Sequence, residues 1–540
     1  MRPLLPSRGD YRELPRTWRG DALAGITVGV VALPLALAFG VSSGVGAEAG
    51  LITAIVAGFV AAVFGGSNIQ VSGPTGAMVV VLGPIVASHG VGAVPVVSVM
   101  AGIAVLIAGI SKLGRIVSYI PWPVMEGFTL GIAVVIFLQQ VPAAIGVRPG
   151  ASASSFVAAL QSFEQLSWPN VMWSLAVVAV VAAIMLLAPL IHKQIPGSIV
   201  AVIVVTIVIV LTRLPLATIG TLPSTLPAPS LPLLDPAMLQ VLIAPALTVA
   251  ALAAMESLLS ARVAASISDT GPYDGDRELV GQGLASIASG FFGGMPATGA
   301  IARSAVNARA GARTRAAAIV HVAVLLGVVY LASGVVSHIP LAALAGVLMV
   351  TAVRMVSVAT VRSVVGSTRG DTVVFIVTAI VTVSFDLVVA VGIGIAVAAF
   401  LALRRLAQSG GVIREELPLP AHPGDEHIAL FRLDGALFFG AADRVLERVT
   451  SVTDVSVVLV RLSRIDALDA TGAKLLTEMI QTLERRGITV LVKGIQSHHL
   501  AVATRVGVIA SLRHENHLFT DLNDAVAHAR SHVSRQTLSG

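Results

Sequence analysis

VSGPTGAM at residues 71–78 and MPATGAIA at residues 295–302 are two versions of one phrase, each placed between long apolar runs. Proline and glycine so close together end one regular segment and begin another. Working outward, the apolar run before the first phrase begins at Glu48 and ends in Gly65-Gly66. The run before the second begins at Glu278 and ends in Gly293-Gly294. Ile120-Pro121 and Ile339-Pro340 then open later runs, and the offset between matched positions drifts in one direction from 230 to 219 residues. The chain therefore reads as two copies of one unit.

That unit is built for lipid. Of 540 residues, 56% are hydrophobic and 12% charged, with a mean hydropathy of +0.90, whereas a soluble domain carries about 25% charged residues. Residues 1–409 hold 21 Lys/Arg and 14 Asp/Glu, and residues 410–540 hold 14 and 15. The composition shift marks a boundary near Gln408 to Gly411. With no cysteine, disulfides, thiolate metal sites and a Cys nucleophile are excluded. No Walker motif, HExxH or paired carboxylates beside a base suggests an enzyme, and no cofactor is expected. A pI near 10.1 comes from loop charges that topology requires, so no nucleic-acid partner is expected.

A bilayer core needs about 20 mostly apolar residues per helix. Clear candidates lie at 23–42, 49–64, 96–111, 124–141, 171–190, 197–212, 239–261, 316–334, 339–353, 372–386 and 388–403, with shorter, interrupted ones at 74–88, 279–293 and 299–310. Fourteen crossings with both termini cytoplasmic put Lys112/Arg115, Lys193, Arg262/Arg277, Arg303/Arg309/Arg313/Arg315, Arg354/Arg362/Arg369 and Arg404/Arg405 inside, as the positive-inside rule asks. The expected class is an all-α polytopic domain at 21–408, with repeats at about 21–213 and 236–406. It follows a cytoplasmic leader (1–20) and precedes a linker (409–426) and a small α/β domain (427–535). A multi-pass protein of the plasma membrane is expected.

Seven spans is an odd number, so the second copy inserts with opposite orientation. Transporters built from inverted repeats bind substrate near the midplane, at broken helices. Ser72-Gly73-Pro74-Thr75-Gly76 and Thr298-Gly299-Ala300 should each open a half-helix, and two facing helix N-termini favour an anion. Thr75 and Thr298 add hydroxyls. The alternative is that these glycines and prolines only pack or kink helices.

Arg303 follows Ala300 by about one helical turn and either binds the anion or snorkels to the cytoplasm with Arg309 and Arg313. Glu256, deep in the apolar run AALAAMESLLSARVA, suits a proton carrier, and Ser260 one turn later shares its face; an ion pair of Glu256 with Arg262 or Arg303 is the alternative. Glu48, Glu126, Glu278 and Asp386 lie near span ends, where capping or interfacial water accounts for them.

Three stretches closely resemble the SulP family of anion transporters: Glu256 to Thr314, Asp21 to Gly40 (DALAGITVGVVALPLALAFG) and Gly66 to Met78 (GSNIQVSGPTGAM). The resemblance implies a seven-plus-seven inverted repeat with core and gate domains, elevator-like movement and a homodimer. It places substrate between the half-helix N-termini and the first span, at Phe39, Thr75 and Arg303. Sodium-coupled bicarbonate members carry Asp, Thr and Thr where this chain has Glu256, Ser260 and Ile301. Ile301 offers no side-chain oxygen to a hard cation, which favours H+ over Na+ as the coupling ion. Sulfate, bicarbonate, chloride, oxalate and C4-dicarboxylates remain open as substrates. A nucleobase carrier and an uncoupled channel, exchanger or voltage-driven motor are the rivals.

From His427 the pattern changes to short strands (IALFRL, ALFF, VSVVLV, ITVLV) alternating with helices near 441–450, 470–486, 498–506 and 521–532. DALDATGAKLL (Asp466 to Leu476) resembles the STAS signature. The resemblance puts Thr471 at a position phosphorylated in soluble relatives and suggests a cytoplasmic regulator as partner; alternatively, Asp469 and Thr471 only cap the helix.

Overall fold

In the computed structural model the chain divides into two compact units, Met1–Ala396 and Val397–Gly540. The structure describes residues 4–539 except 116–119, 149, 151, 153, 192–195, 223, 233–235, 386, 410 and 438–446. Lys193, Asp386 and most of the helix expected at 441–450 lie outside the described residues.

The first unit is helical. Its first half runs α1 (Leu14–Ser42), α2 (Ala47–Phe64), β1 (Ser72–Gly73), α3 (Gly76–His89), α4 (Ala93–Ile110), α5 (Trp122–Ala144), α6 (Ser155–Ser162), α7 (Asn170–Ile191) and α8 (Gly197–Thr212). Its second half runs α9 (Pro236–Ser266), α10 (Gly275–Phe291), β2 (Thr298–Gly299), α11 (Ile301–Arg309), α12 (Ala316–Val336), α13 (Leu341–Met355), α14 (Val358–Val365), α15 (Arg369–Ser384) and the first part of α16 (Leu387–Ser409), which continues past Ala396. Every expected span falls on a helix. By length and composition, eight helices can cross a bilayer among the described residues. Helix α1 starts at Leu14, inside the expected leader, because Leu14 and Pro15 suit a helix start and Arg16 and Arg19 do not interrupt it.

The two halves pack by exchange. Helix α1 lies on α12 as α9 lies on α4, and α2 lies on α12 as α10 lies on α4. A second group joins α5 to α13 and α15, and α7 to α8 and α13. Polar side chains tie the first group together. Asp21 accepts bonds from Thr17 Oγ1 at 2.7 Å and from the Arg313 and Thr314 amides at 2.7 and 3.0 Å. Glu278 accepts from the Gly66 and Ser67 amides at 2.8 and 3.2 Å, so it anchors the chain after α2. The guanidinium of Arg315 donates to the Val63 and Gly65 carbonyls at the C-terminus of α2, where a cation meets the negative end of the helix.

The second unit is a five-stranded sheet in the order β3-β4-β5-β6-β7, where β3 is Gly411–Glu415, β4 Ile428–Leu437, β5 Val457–Leu468, β6 Thr489–Lys493 and β7 Leu518–Phe519. Strand β3 is antiparallel to β4 and the rest are parallel. Both faces are covered, so successive residues bury on opposite sides. Ala429, Phe431, Val458 and Val460 meet α17 (Ala470–Arg485) and α18 (Ser497–Val506), whereas Ile428, Leu430, Val457 and Leu459 meet α19 (Leu522–Ser539). Strand β3 lies within the stretch expected as linker, because a five-residue edge strand with a single buried valine carries little periodicity.

Candidate functional site

The paired phrases meet. Ser72 lies opposite Gly299 and Gly73 opposite Thr298 in a two-residue antiparallel ladder, extended by the Ala300 amide donating to the Val71 carbonyl at 2.9 Å. Two glycines permit this approach. A Cβ on Gly299 would lie 1.7 Å from Gln70 Nε2, and one on Gly73 would lie 2.8 Å from Arg303 Nη1, with φ at +153° besides.

From this ladder α3 and α11 set out. Their 14 and 9 residues span only about 21 and 14 Å, too little to cross a 30 Å core. Neither helix has a side-chain N-cap bond, so no capping side chain takes up the first-turn N–H groups.

Side chains close the space between these starts. Thr75 Oγ1 lies 2.9 Å from Thr298 Oγ1, and each hydroxyl donates to Glu256 Oε2 at 2.8 Å. Glu256 therefore pairs with the two hydroxyls rather than with Arg262. Thr75, Thr298, Gly76, Gly299 and Ala300 are all buried. Phe39 at the end of α1 is buried too, with its Cε1 3.4 Å from where a side chain on Gly76 would begin. A cavity of about 70 Å³ adjoins them, walled by Gly76 and Ala77 of α3, Phe128 and Ile132 of α5, Glu256 of α9 and Ile301 of α11.

Arg303 is 2% exposed, so it does not snorkel. Its Nη2 donates to the Pro74 carbonyl at 2.6 Å, and its buried Nη1 has no hydrogen-bond partner among the described residues. The guanidinium stands behind the start of α3 and does not line the cavity. Ser260 faces Ser304 at 3.3 Å, one turn below the carboxylate, and Ser304 Oγ accepts from the Val71 amide at 3.0 Å. Ser72 Oγ accepts from Gln282 Nε2, which also donates to Glu278 at 3.0 Å. Two supports were not read from the sequence: Gln282, and Ser257, whose Oγ accepts from the Gly299 amide at 3.1 Å. Ser257 follows Glu256 directly, and only the fold turns both toward β2.

In the second unit Asp469 caps α17 by accepting from the Gly472 amide at 2.7 Å, and Thr471 is exposed in the first turn.

Residues 18–378 match the sulfate permease family and residues 420–525 match the STAS domain. The chain belongs to the sulfate permease family. It is 36% identical over 430 residues to "Putative sulfate transporter YvdB" of Bacillus subtilis, covering 78% of this chain and 81% of that protein. It is 31% identical over 468 residues to the bicarbonate transporter BicA of Picosynechococcus, covering 81% and 82%. The transmembrane domain of a cyanobacterial BicA superposes with a TM-score of 0.61 at 30% identity, over 71% of this chain and 97% of that one. Murine Slc26a9, an anion transporter solved in its inward-facing state, shares the fold with a TM-score of 0.79 at 16% identity, over 95% and 91%. The named relatives are transporters, not enzymes.

Proposed function

We propose that this chain is a secondary active transporter of small anions of the sulfate, bicarbonate or C4-dicarboxylate class, binding the anion at the facing starts of α3 and α11 and coupling its movement to protons through Glu256. The triangle of Thr75, Thr298 and Glu256 carries this reading. Its three oxygen–oxygen contacts share only two hydroxyl protons while Glu256 is ionised. A proton on Glu256 Oε2 completes the ring, and it also removes a negative charge from the place where the helix starts would hold an anion. Proton and anion then favour each other's binding, which is the coupling a symporter needs.

Arg303 adds a fixed positive charge behind that place and pins α11 to Pro74. Ile301 lines the cavity and presents no side-chain oxygen, which speaks against a sodium site. The cavity lies between the two packing groups, α1–α4 with α9–α12 and α5–α8 with α13–α16. Sliding of the first as a core against the second as a gate would give elevator-type access, with fourteen crossings in a plasma membrane and both termini cytoplasmic. We extend the proposal to a homodimer, and to a regulator reading Thr471, where a phosphate would meet the start of α17.

Proteoliposome uptake of labelled sulfate, bicarbonate and fumarate, each with and without an imposed pH gradient, tests the proposal. One of the three should accumulate in a saturable way when the outside is acidic. Uptake that depends on sodium and ignores pH defeats the proton assignment, and fast unsaturable current defeats the carrier.

A further inference from the structure

Outside the transport unit the structure gathers histidines that the transport reading does not use. His528 and His532 stand one turn apart on α19 and so share a face. His517 ends the short turn before β7. Their rings converge, with centroids 5.5 Å apart for His517 and His528, 5.4 Å for His517 and His532, and 4.9 Å for His528 and His532. One ligand nitrogen from each lies within 4.8 Å of the others.

We propose that His517, His528 and His532 bind one divalent transition-metal ion of the zinc class in the STAS domain. The separation of the two α19 nitrogens carries the proposal. His528 Nε2 and His532 Nε2 are 3.2 Å apart, and two nitrogens about 2.0–2.1 Å from a tetrahedral zinc are separated by roughly 3.3 Å. His517 supplies the second observation. It is 2% exposed, and its Nδ1 has no hydrogen-bond partner among the described residues. Such a nitrogen is costly to bury unless something binds it. Its ligand nitrogen, within 4.8 Å of the other two, would have to close to about 3.3 Å to complete the third position.

The donor set chooses the metal. Three imidazoles without a carboxylate suit zinc, nickel, cobalt or copper and not calcium or magnesium. Arg513 and Arg535 lie near and oppose a cation, but Arg513 is paired with Glu484 at 2.9 Å and Arg535 donates to Ser531. The fourth position falls to water or to His514, whose ring stands 5.4 Å from that of His517. The spacing H-x2-H-x10-H-x3-H from His514 to His532 was legible in the sequence. Bound metal would fasten α19 to β7, an edge strand held by two residue pairs.

The test uses the full chain in detergent, stripped with chelator and dialysed against Zn2+. The chain has twelve histidines, so the reading is a difference between proteins. Wild type should retain one more zinc per chain than His528→Gln/His532→Gln. Cobalt should give the intense visible bands of a tetrahedral site in wild type and not in that variant. His517→Gln alone should weaken binding by at least about 100-fold, since even outer-sphere partners are worth 10–100-fold. Zinc should raise the unfolding temperature of wild type only, with all three proteins unfolding alike in chelator. Equal zinc content in wild type and both variants overturns the proposal, as does a wild type that retains none. In either case the facing nitrogens of α19 simply share a proton.

Discussion

The two half-helices begin from matching backbone and end as different objects. Helix α3 is apolar for its first 12 residues, whereas α11 is short and carries Arg303, Ser304 and Asn307 buried on one side. The long helices above them differ in the same way. Helix α9 brings Glu256, Ser257 and Ser260, while α1 reads ALPLALAF over residues 32–39, with no titratable group. The duplicated backbone supplies a symmetric pair of positive helix ends, and the second half alone supplies the charge chemistry that would make binding depend on protons.

That contrast can be broken in four places, beginning with the largest effect. Arg303→Ala should abolish anion uptake in proteoliposomes while the protein still inserts, because it removes the buried positive charge and frees the Pro74 carbonyl; surviving uptake would make the helix ends sufficient alone. Glu256→Gln should keep anion exchange and lose all response to a pH gradient, since the amide mimics the protonated acid at every pH. Gradient-driven accumulation by this variant would move the coupling elsewhere.

Gly73→Ala and Gly299→Ala should each destabilise the protein by about 1–3 kcal/mol through overpacking of the ladder, read as a lower unfolding temperature in detergent. A clear effect at one position only would mean that the ladder is not held from both sides. The smallest expected effect is the most direct test of symmetry. Thr75→Ala and Thr298→Ala should each raise the KM for the anion about fivefold, the worth of one hydrogen bond of about 1 kcal/mol, and to the same extent. Unequal values would show that the anion leans toward one half.

The half-helices were legible because broken phrases between apolar runs are local signals. The starts expected at 74 and 299 fall at Gly76 and Ile301. What the sequence hid were contacts over long separations. Glu256 meets Thr75 across 181 residues, and nothing in AAMESLL says which face of α9 turns inward, because apolar residues surround the helix. Arg315 read as one more cytoplasmic loop charge and is instead 2% exposed at the end of α2. A positive residue after a span looks the same in sequence whether it faces water or a neighbouring helix's carbonyls. In the second unit β3 escaped notice for want of periodicity, whereas the strands covered on both faces announced themselves by short continuous apolar runs such as IALF, VVLV and VLV.

The ladder between Ser72-Gly73 and Thr298-Gly299 works as a caliper locked at one setting. Since both jaws are joined by main-chain bonds, an insertion on either side cannot widen the gap without breaking the other's register. If this cavity holds the anion as proposed, descendants of this chain would change their cargo by repainting the walls, at α5 and at residue 301, rather than by stretching the gap itself.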